Sequence, residues 1–500
     1  MNTDEPRAAE AWVLNWQTKF YRWATTNKNQ KYEDVYNLLY DTKTLQMAWR
    51  HVRANKGSKT AGVDGHTRAY VEVGLGEDKF LRDIQAELKA ETYRPRPTRE
   101  KSIPKPNGKV RYLGIPTLRD RVVQQALRMI LEPIFEADFY RSSYAYRPNR
   151  RTQDAIEEIF QFAKPRTGYE WVVEGDIQGC FDNVHHGILM EEIRKRVIDR
   201  KIIRLIRAFL KSGVMTEFGM FRHTVTGTPQ GGILSPLLAN IYLSRLDQYF
   251  LKKWESYGDA NGRQRFRKKG LATCTMVRFA DDFVILTKGT RAQAEALKEE
   301  TAQFLKRDLS MELSLEKTRI THVTEGFDFL GHHIVLKANY SGRMSVRIYP
   351  SKKSLRTVQK KVKVITSQRT TGQSLGQILA QLNAVLRGWS NYFRFSHSKR
   401  TFSYLGDYAW RRVHRWMSKK HGKLSLTTLQ RKYFPEWTFQ EGNQTLFNPG
   451  QVVVERYKYR GALIPTVWSD QAGCLKRKGR RDHWPDEPRL LENLESCCTL

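Results

Sequence analysis

The sequence predicts an α+β fold. Two observations carry this: short apolar strands alternate with amphipathic helices through the middle of the chain, and the stretches on either side are helical in pattern. Apolar residues make up 40% of the 500 and aromatics 11%, enough to build packed cores and too much for a disordered chain.

Taken in order, the first ninety or so residues set Trp12, Trp16 and Trp23, and then EDVYNLLYDTKTLQMAWRHVRA, at the three- and four-residue spacing of helices. A Gly-rich break, NKGSKTAGVDGHT, precedes another amphipathic stretch, KFLRDIQAELKAE. From Thr92 to Pro116 the texture becomes Pro-punctuated strands, with KPNGK turning the chain between SIPK and VRYLGIP. A long helix, TLRDRVVQQALRMILEPIFEADF, follows. Then come the helix TQDAIEEIFQFA, the strand EWVVEGDI, the helices HHGILMEEIRKRV and LSPLLANIYLSRLDQYF, and two apolar strands around RFADDFVIL. From about Pro350 the pattern is helical and basic (SKKSLRTVQKKVKVIT, SLGQILAQLNAVLRGWSNYF). The end of the chain mixes aromatics with clusters such as KRKGRR at 476–481. No internal repeat is evident.

Charge narrows the function. Lys plus Arg number 86 against 52 Asp plus Glu, a net charge of +34. Between Gly331 and Gln430 stand 20 basic residues and one acid, Asp407, so this hundred-residue stretch carries +19. Such a concentration favours a polyanion partner over a generally basic surface, because Lys and Arg gain by releasing counterions condensed on phosphates. No run of about 18 apolar residues occurs and MNTDEPRAAEAW has no apolar signal core, so the expectation is a soluble, cytoplasmic protein with no membrane partner. Cys180, Cys274, Cys474, Cys497 and Cys498 form neither a disulfide framework nor a C-x-x-C zinc pair.

The acids that stand out end apolar strands. Asp281 and Asp282 sit between TMVRFA and FVILT, at the tip of a tight hairpin, and Asp176 ends WVVEGD. Burying adjacent carboxylates without a cation is costly. If the strands are neighbours, Asp176 and Asp281 converge, and hard oxygen ligands suit Mg²⁺, two of which could activate a 3′-hydroxyl and steady a leaving pyrophosphate. Turn or helix-cap roles are the alternative for the same acids. TGTPQGGILSPLLANIYL adds a Gly-rich, Pro-stiffened turn before a helix, where backbone amides can approach a nucleotide.

These blocks, with IPKPNGKVRYLGIPTLRDRVVQQA, YAYRPNRRTQDAI, VVEGDIQGCFDNVHH, LSLEKT, FDFLGHHI and LNAVLRGWSNYFRF, resemble in order the reverse transcriptases, and among them the group II intron-encoded reverse transcriptase/maturases, from about Asn55 to Phe395. The resemblance implies a right hand of fingers, palm and thumb. Its divisions would be 1–92, a helical extension and the start of the fingers; 93–345, fingers and palm; 346–425, a basic thumb or maturase domain; and 426–500, a DNA-binding region and tail. It implies catalytic Asp176, Asp281 and Asp282, and a metal set of Asp176, Ile177, Asp281 and Asp282 for two Mg²⁺, with Mn²⁺ as a substitute. Phe279 stands where the family usually has Tyr, which keeps the ring and loses a hydroxyl.

Phe181 matches the aromatic gate against a ribose 2′-hydroxyl, an ordinary core Phe being the alternative. Gln230 matches the nucleotide pocket. Lys105, Arg111 and Arg147 resemble cations for the triphosphate, and Lys317 resembles the Lys that protonates departing pyrophosphate, with a surface or strand-cap role also open. The His pairs 185–186 and 332–333 suit packing or phosphate contacts better than chelation. Trp389, Tyr392, Phe393 and Phe395 suit a thumb core better than base stacking.

The partners implied are group II intron RNA, target DNA with a template-primer duplex, and dNTP. The function implied is RNA-directed DNA synthesis that copies the intron at a DNA target, together with assistance to splicing. Cys474, His483, Cys497 and Cys498 lack the spacing of an HNH endonuclease, so a primer from elsewhere is expected. A splicing-only maturase, a domesticated reverse transcriptase in DNA repair or antiphage defence, and a palm-domain nucleotide cyclase are the competing functions.

Overall fold

The computed structural model describes residues 4–104, 108, 110–216, 219–224, 226–228, 231–422, 425–461 and 464–469. The chain opens with α1 (Asp4–Thr26), α2 (Tyr36–Leu39), α3 (Thr42–Ala54) and α4 (Glu77–Lys89). Trp16 and Phe20 on one face of α1, and Trp49 with Val52 on α3, are buried in the main core, which is where the three- and four-residue spacing of the sequence leads. β1 (Thr98–Pro104) and β2 (Val110–Ile115) pair antiparallel with Pro104 opposite Val110. Most of the KPNGK turn between them, Lys105 included, lies outside the described residues.

The long α5 (Leu118–Glu136) starts where Thr117 accepts the Asp120 amide at 3.1 Å. Then follow α6 (Thr152–Ala163), β3 (Trp171–Asp176), α7 (His186–Arg194), α8 (Arg200–Leu210), β4 (Val214–Met215), β5 (Phe221–Arg222), α9 (Ser235–Ser256), α10 (Ala260–Lys268), β6 (Thr273–Phe279), β7 (Asp282–Lys288), α11 (Arg291–Leu309) and β8 (Arg319–His322). β3, β6, β7 and β8 make an antiparallel central sheet in the order β6-β7-β3-β8, and a second sheet runs β2-β1-β4-β5. The mixed α+β expectation holds. Helices α1, α3, α5, α6, α7 and α9 share one continuous core with the central sheet.

A three-stranded sheet, β9 (Phe327–Phe329), β10 (His332–Ala338) and β11 (Met344–Pro350), leads into a helical body of α12 (Lys352–Ile365), α13 (Leu375–Phe393), α14 (Lys399–Lys420) and α15 (Leu426–Tyr433), with a small hairpin of β12 (Gln440–Glu441) and β13 (Gln444–Thr445). Ser351 and Ser374 cap α12 and α13. Val358, Leu379, Leu405 and Trp416 centre a second hydrophobic core, which takes in Leu429, Phe434 and Phe439 as well, so its packing runs on past residue 425.

The two bodies meet through the FLGHH block. Buried His332 lies against Tyr392 and Phe393, and the Tyr392 hydroxyl donates to the Leu330 carbonyl at 2.8 Å. Burial pulls the His332 imidazole down to about 4, so it packs as a neutral ring. Trp389 packs on Phe393 and against the second core, and Phe395 faces Tyr457, so these aromatics serve packing.

Beyond Gln451 the described residues form no helix or strand, yet they are well fastened. Glu455 pairs with Arg394, Arg460 forks onto Asp154 at 2.6 and 2.9 Å, Ile464 enters the main core, and the Trp468 indole donates to Gln17 of α1 at 3.2 Å. This strap ties the end of the helical body to α6 and to the first helix. Among the described residues no helix is long and apolar enough to cross a membrane.

Candidate active site

The acids singled out in the sequence come together at one end of the central sheet. β3 and β7 are antiparallel neighbours with Asp176 directly opposite Asp282, and the Ile177 amide donates to the Asp281 carbonyl at 3.3 Å. β6 and β7 join through a two-residue turn, Ala280 and Asp281, in which Ala280 takes a φ of +60°. That left-handed value suits the twist of a tight hairpin but strains a residue with a Cβ. Gly175 is needed beside it: a Cβ there would lie 2.2 Å from the Phe283 ring.

The turn is held from beneath. Arg278, the one charged residue on β6, donates to the Ala280 carbonyl at 2.9 Å, to Asn240 at 3.2 Å and, as a fork, to Asp247 of α9 at 2.7 and 2.5 Å. The side chains of Arg278 and Asp247 are both 0% exposed. The turn is thus set by a buried ion pair whose acid lies on a different element.

Crowding governs the electrostatics of the cluster. Burial, and then the charge of Asp176, hold the Asp281 carboxyl above its ordinary value. Burial, a hydrogen bond to Asp176 and the charge of Asp281 do the same to Asp282. Lys317 places Nζ 2.7 Å from Asp176 Oδ2. Burial works against its charge, but the hydrogen bond to Asp176 and the three nearby carboxylates outweigh it, so the ammonium is held more firmly than usual.

Asp281 and Asp282, both held back from ionising, stand beside an Asp176 that already carries a lysine, so the site is short of positive charge. Their hard oxygens have the donor chemistry of a Mg²⁺ or Mn²⁺ centre. Among the described residues, no three His, Cys, Asp or Glu side chains form a ready-made metal cage; Lys317 takes part of the role a cation would have.

Comparison with known proteins shows the family. Residues 103–334 match the family model described as reverse transcriptase (RNA-dependent DNA polymerase), and 355–434 match the group II intron, maturase-specific domain. The chain is 39% identical to protein YkfC of Escherichia coli K12, over 67% of this chain and 91% of that one. It is 33% identical to the group II intron-encoded protein LtrA of Lactococcus lactis, over 80% of this chain and 77% of that one. A 91 kDa protein in the cob intron of Schizosaccharomyces pombe is 29% identical over 73% of this chain and 51% of that one. The chain belongs to the group II intron-encoded reverse transcriptase/maturase family. It is a reverse transcriptase, an RNA-directed DNA polymerase.

The other residues of the reverse transcriptase singled out in the sequence fall into three groups. Phe181 is half-buried on the turn after β3, where its carbonyl accepts the Thr228 amide at 2.7 Å. This ties the start of the TPQGG loop to that turn. Gly227, at φ +90°, allows the approach, since a Cβ would lie 2.8 Å from the Asp182 carbonyl. Gln230 itself lies outside the described residues, as do Lys105, Cys474, His483, Cys497 and Cys498. Arg111 is exposed on β2 with its charge felt at Asp281, on the same side as the carboxylates.

Arg147 is a correction. Its side chain is 2% exposed, and its guanidinium is spent on Glu136 at 2.8 Å and on the carbonyls of Tyr140 and Ser143, each at 2.6 Å. It braces the loop after α5 and is not free to hold a triphosphate. The neighbour on its other side was missed. Tyr146 takes a φ of +58°, is 48% exposed, and lies within electrostatic reach of Asp281 and Arg111. Arg278 was missed too, although the one charged residue on a buried strand signals a buried partner. His185 caps α7 and His186 contacts the Gly227 carbonyl at 2.8 Å, so this pair is not a chelating one.

Proposed function

We propose that this reverse transcriptase binds group II intron RNA, promotes its splicing in the cytoplasm, and copies it into DNA by target-primed synthesis with two Mg²⁺ ions. The observation that carries the reading is the register setting Asp176 opposite Asp282 with Asp281 on the adjoining turn, in a chain that continues into a maturase-specific domain. In this reading the β2-β1-β4-β5 sheet and the N-terminal helices are fingers, the central sheet is the palm, and the basic helical body is the thumb.

Asp176, Asp281 and Asp282, with Ile177, would hold the metal ions, which when bound supply charge neutralisation at the triphosphate and the primer hydroxyl. The rest falls to side chains of the protein. Phe181 closes the floor under the sugar, Arg111 meets the triphosphate, and Lys317 keeps a proton at Nζ for the departing pyrophosphate. The +19 stretch grips RNA and the template-primer duplex through their phosphates.

The test is extension of a DNA primer on an RNA template. Asp281→Ala abolishes cDNA synthesis while intron RNA binding and splicing persist. Equal loss of both would contradict the division of labour, and no extension by the unmodified protein would refute the polymerase reading.

A further inference from the structure

A second strongly basic feature lies away from the carboxylates. Arg194 at the end of α7, with Arg200, Arg204 and Arg207 of α8, lines an open cleft of about 500 Å³ floored by Ile198 and Ile203. The sequence RKIIRLIRAFL divides cleanly: Ile202, Leu205, Ile206 and Phe209 face the main core, while the arginines recur at four and three residues along the outer face. Asp199 fixes the helix from below, accepting the amides of Lys201 and Ile202 at its own helix and those of Val35 and Tyr36 from the N-terminal segment.

The nearby acids are already engaged. Glu91 pairs with Lys201 and Arg204, Glu192 with Lys195 and Arg245, Glu191 with Arg245, and Asp199 with its four amides. Arg194, Arg200 and Arg207 therefore have no acidic partner among the described residues. Three or four like charges in one cleft repel each other, and an apolar floor strengthens their field toward an approaching anion. Every cation is an arginine, the side chain whose planar fork fits phosphate oxygens two at a time. The lining carries neither an aromatic to stack on a base nor an acceptor to read one. It is open on one side, as suits a strand passing through rather than a nucleotide enclosed.

We infer that this cleft binds the phosphodiester backbone of a structured RNA at a site distinct from the polymerase cleft. The start of α7 adjoins the Phe181 turn, and nine residues of helix, about 12 Å, carry the chain from there to Arg194. None of the six lining residues contacts the carboxylate cluster. The choice of RNA rests on the maturase reading above; the cleft itself rests on its arginines. One RNA would then be held at the helical body and again at this cleft while a template-primer is copied.

The test loads the full-length protein with a dideoxy-terminated primer on an RNA template plus the next dNTP, so that the polymerase cleft is filled. A labelled RNA duplex of about 20 base pairs is then titrated as a second ligand over a range of salt. Unmodified protein binds this duplex. The triple variant R194Q/R200Q/R207Q binds it at least about tenfold more weakly near physiological salt, with the log–log salt slope reduced by about 2 to 3, since each arginine neutralises one phosphate. The variant R194K/R200K/R207K keeps most of the slope. Primer extension on a short template is unchanged in both. If the triple variant does not fold, single substitutions each lower the slope by about 0.9. Unchanged affinity and slope in the Gln variants, failure of the loaded protein to bind the duplex, or tighter binding of a DNA duplex would overturn the inference. Primer extension by the unmodified protein alongside any of these would leave the polymerase reading standing.

Discussion

Replacing Asp247 with Leu should damage the protein at a distance from any substrate. Asp247 and Arg278 neutralise each other with both side chains fully buried, so the substitution strands a guanidinium that Asn240 and the Ala280 carbonyl cannot compensate. Removing one member of a buried pair costs about 3–5 kcal/mol, whereas replacing both with apolar residues of similar size is close to neutral. The body holding the central sheet should therefore lose on the order of 10 °C of melting temperature in Asp247→Leu and recover most of it in Arg278→Met/Asp247→Leu.

Activity should part company with stability in the double variant. Without Arg278 the Ala280 carbonyl loses its donor, and a left-handed turn that stores about 1–2 kcal/mol of strain is free to relax and carry Asp281 with it. A displacement of about 1 Å at a reacting centre costs up to roughly a hundredfold in rate. Circular dichroism melts and single-nucleotide primer extension measure the two effects. A cost below about 1 kcal/mol for Asp247→Leu, or full kcat in the stable double variant, would refute the account.

If the half-buried Phe181 ring is the sugar gate proposed above, Phe181→Ala should raise ribonucleotide incorporation relative to deoxynucleotide by about tenfold or more; unchanged discrimination in single-turnover assays would remove its role. Glu157 is a pH probe: burial lifts its carboxyl from 4.5 to about 7. Between those values the folded protein holds a proton that the unfolded chain has released, so stability falls as pH rises through the window, by up to about 3 kcal/mol. Glu157→Gln should flatten that fall, and urea midpoints that track the unmodified protein from about pH 5 to about pH 8 would contradict it.

The carboxylate centre was legible because its cause is local. An Asp-Asp pair between two apolar strands can only be a hairpin tip, and register then puts the acid ending β3 beside it. Arg147 was misjudged because exposure is a tertiary property: a basic residue before a Pro in a polar loop looks solvated until Glu136, eleven residues back, folds over it. The partner of Arg278 is likewise supplied by α9, 31 residues earlier. The strap beyond Gln451 has no periodicity at all, since each of its anchors is a separate contact to a different part of the chain.

That strap has a mechanical consequence. A rigid body attached at one point can swivel about three axes; attached at two, it keeps one. The helical body is fixed at its start, where the Ser351 amide bonds the Gly331 carbonyl at 2.8 Å, and at its end by Arg460 on Asp154. A third contact, from the Gln153 side-chain amide of α6 to the Tyr392 carbonyl of α13 at 3.2 Å, takes away the swing about the line joining those anchors. Detaching Arg460 would leave two anchors and return that one swing, and with it a variable gap between the basic helices and the sheet that carries the carboxylates.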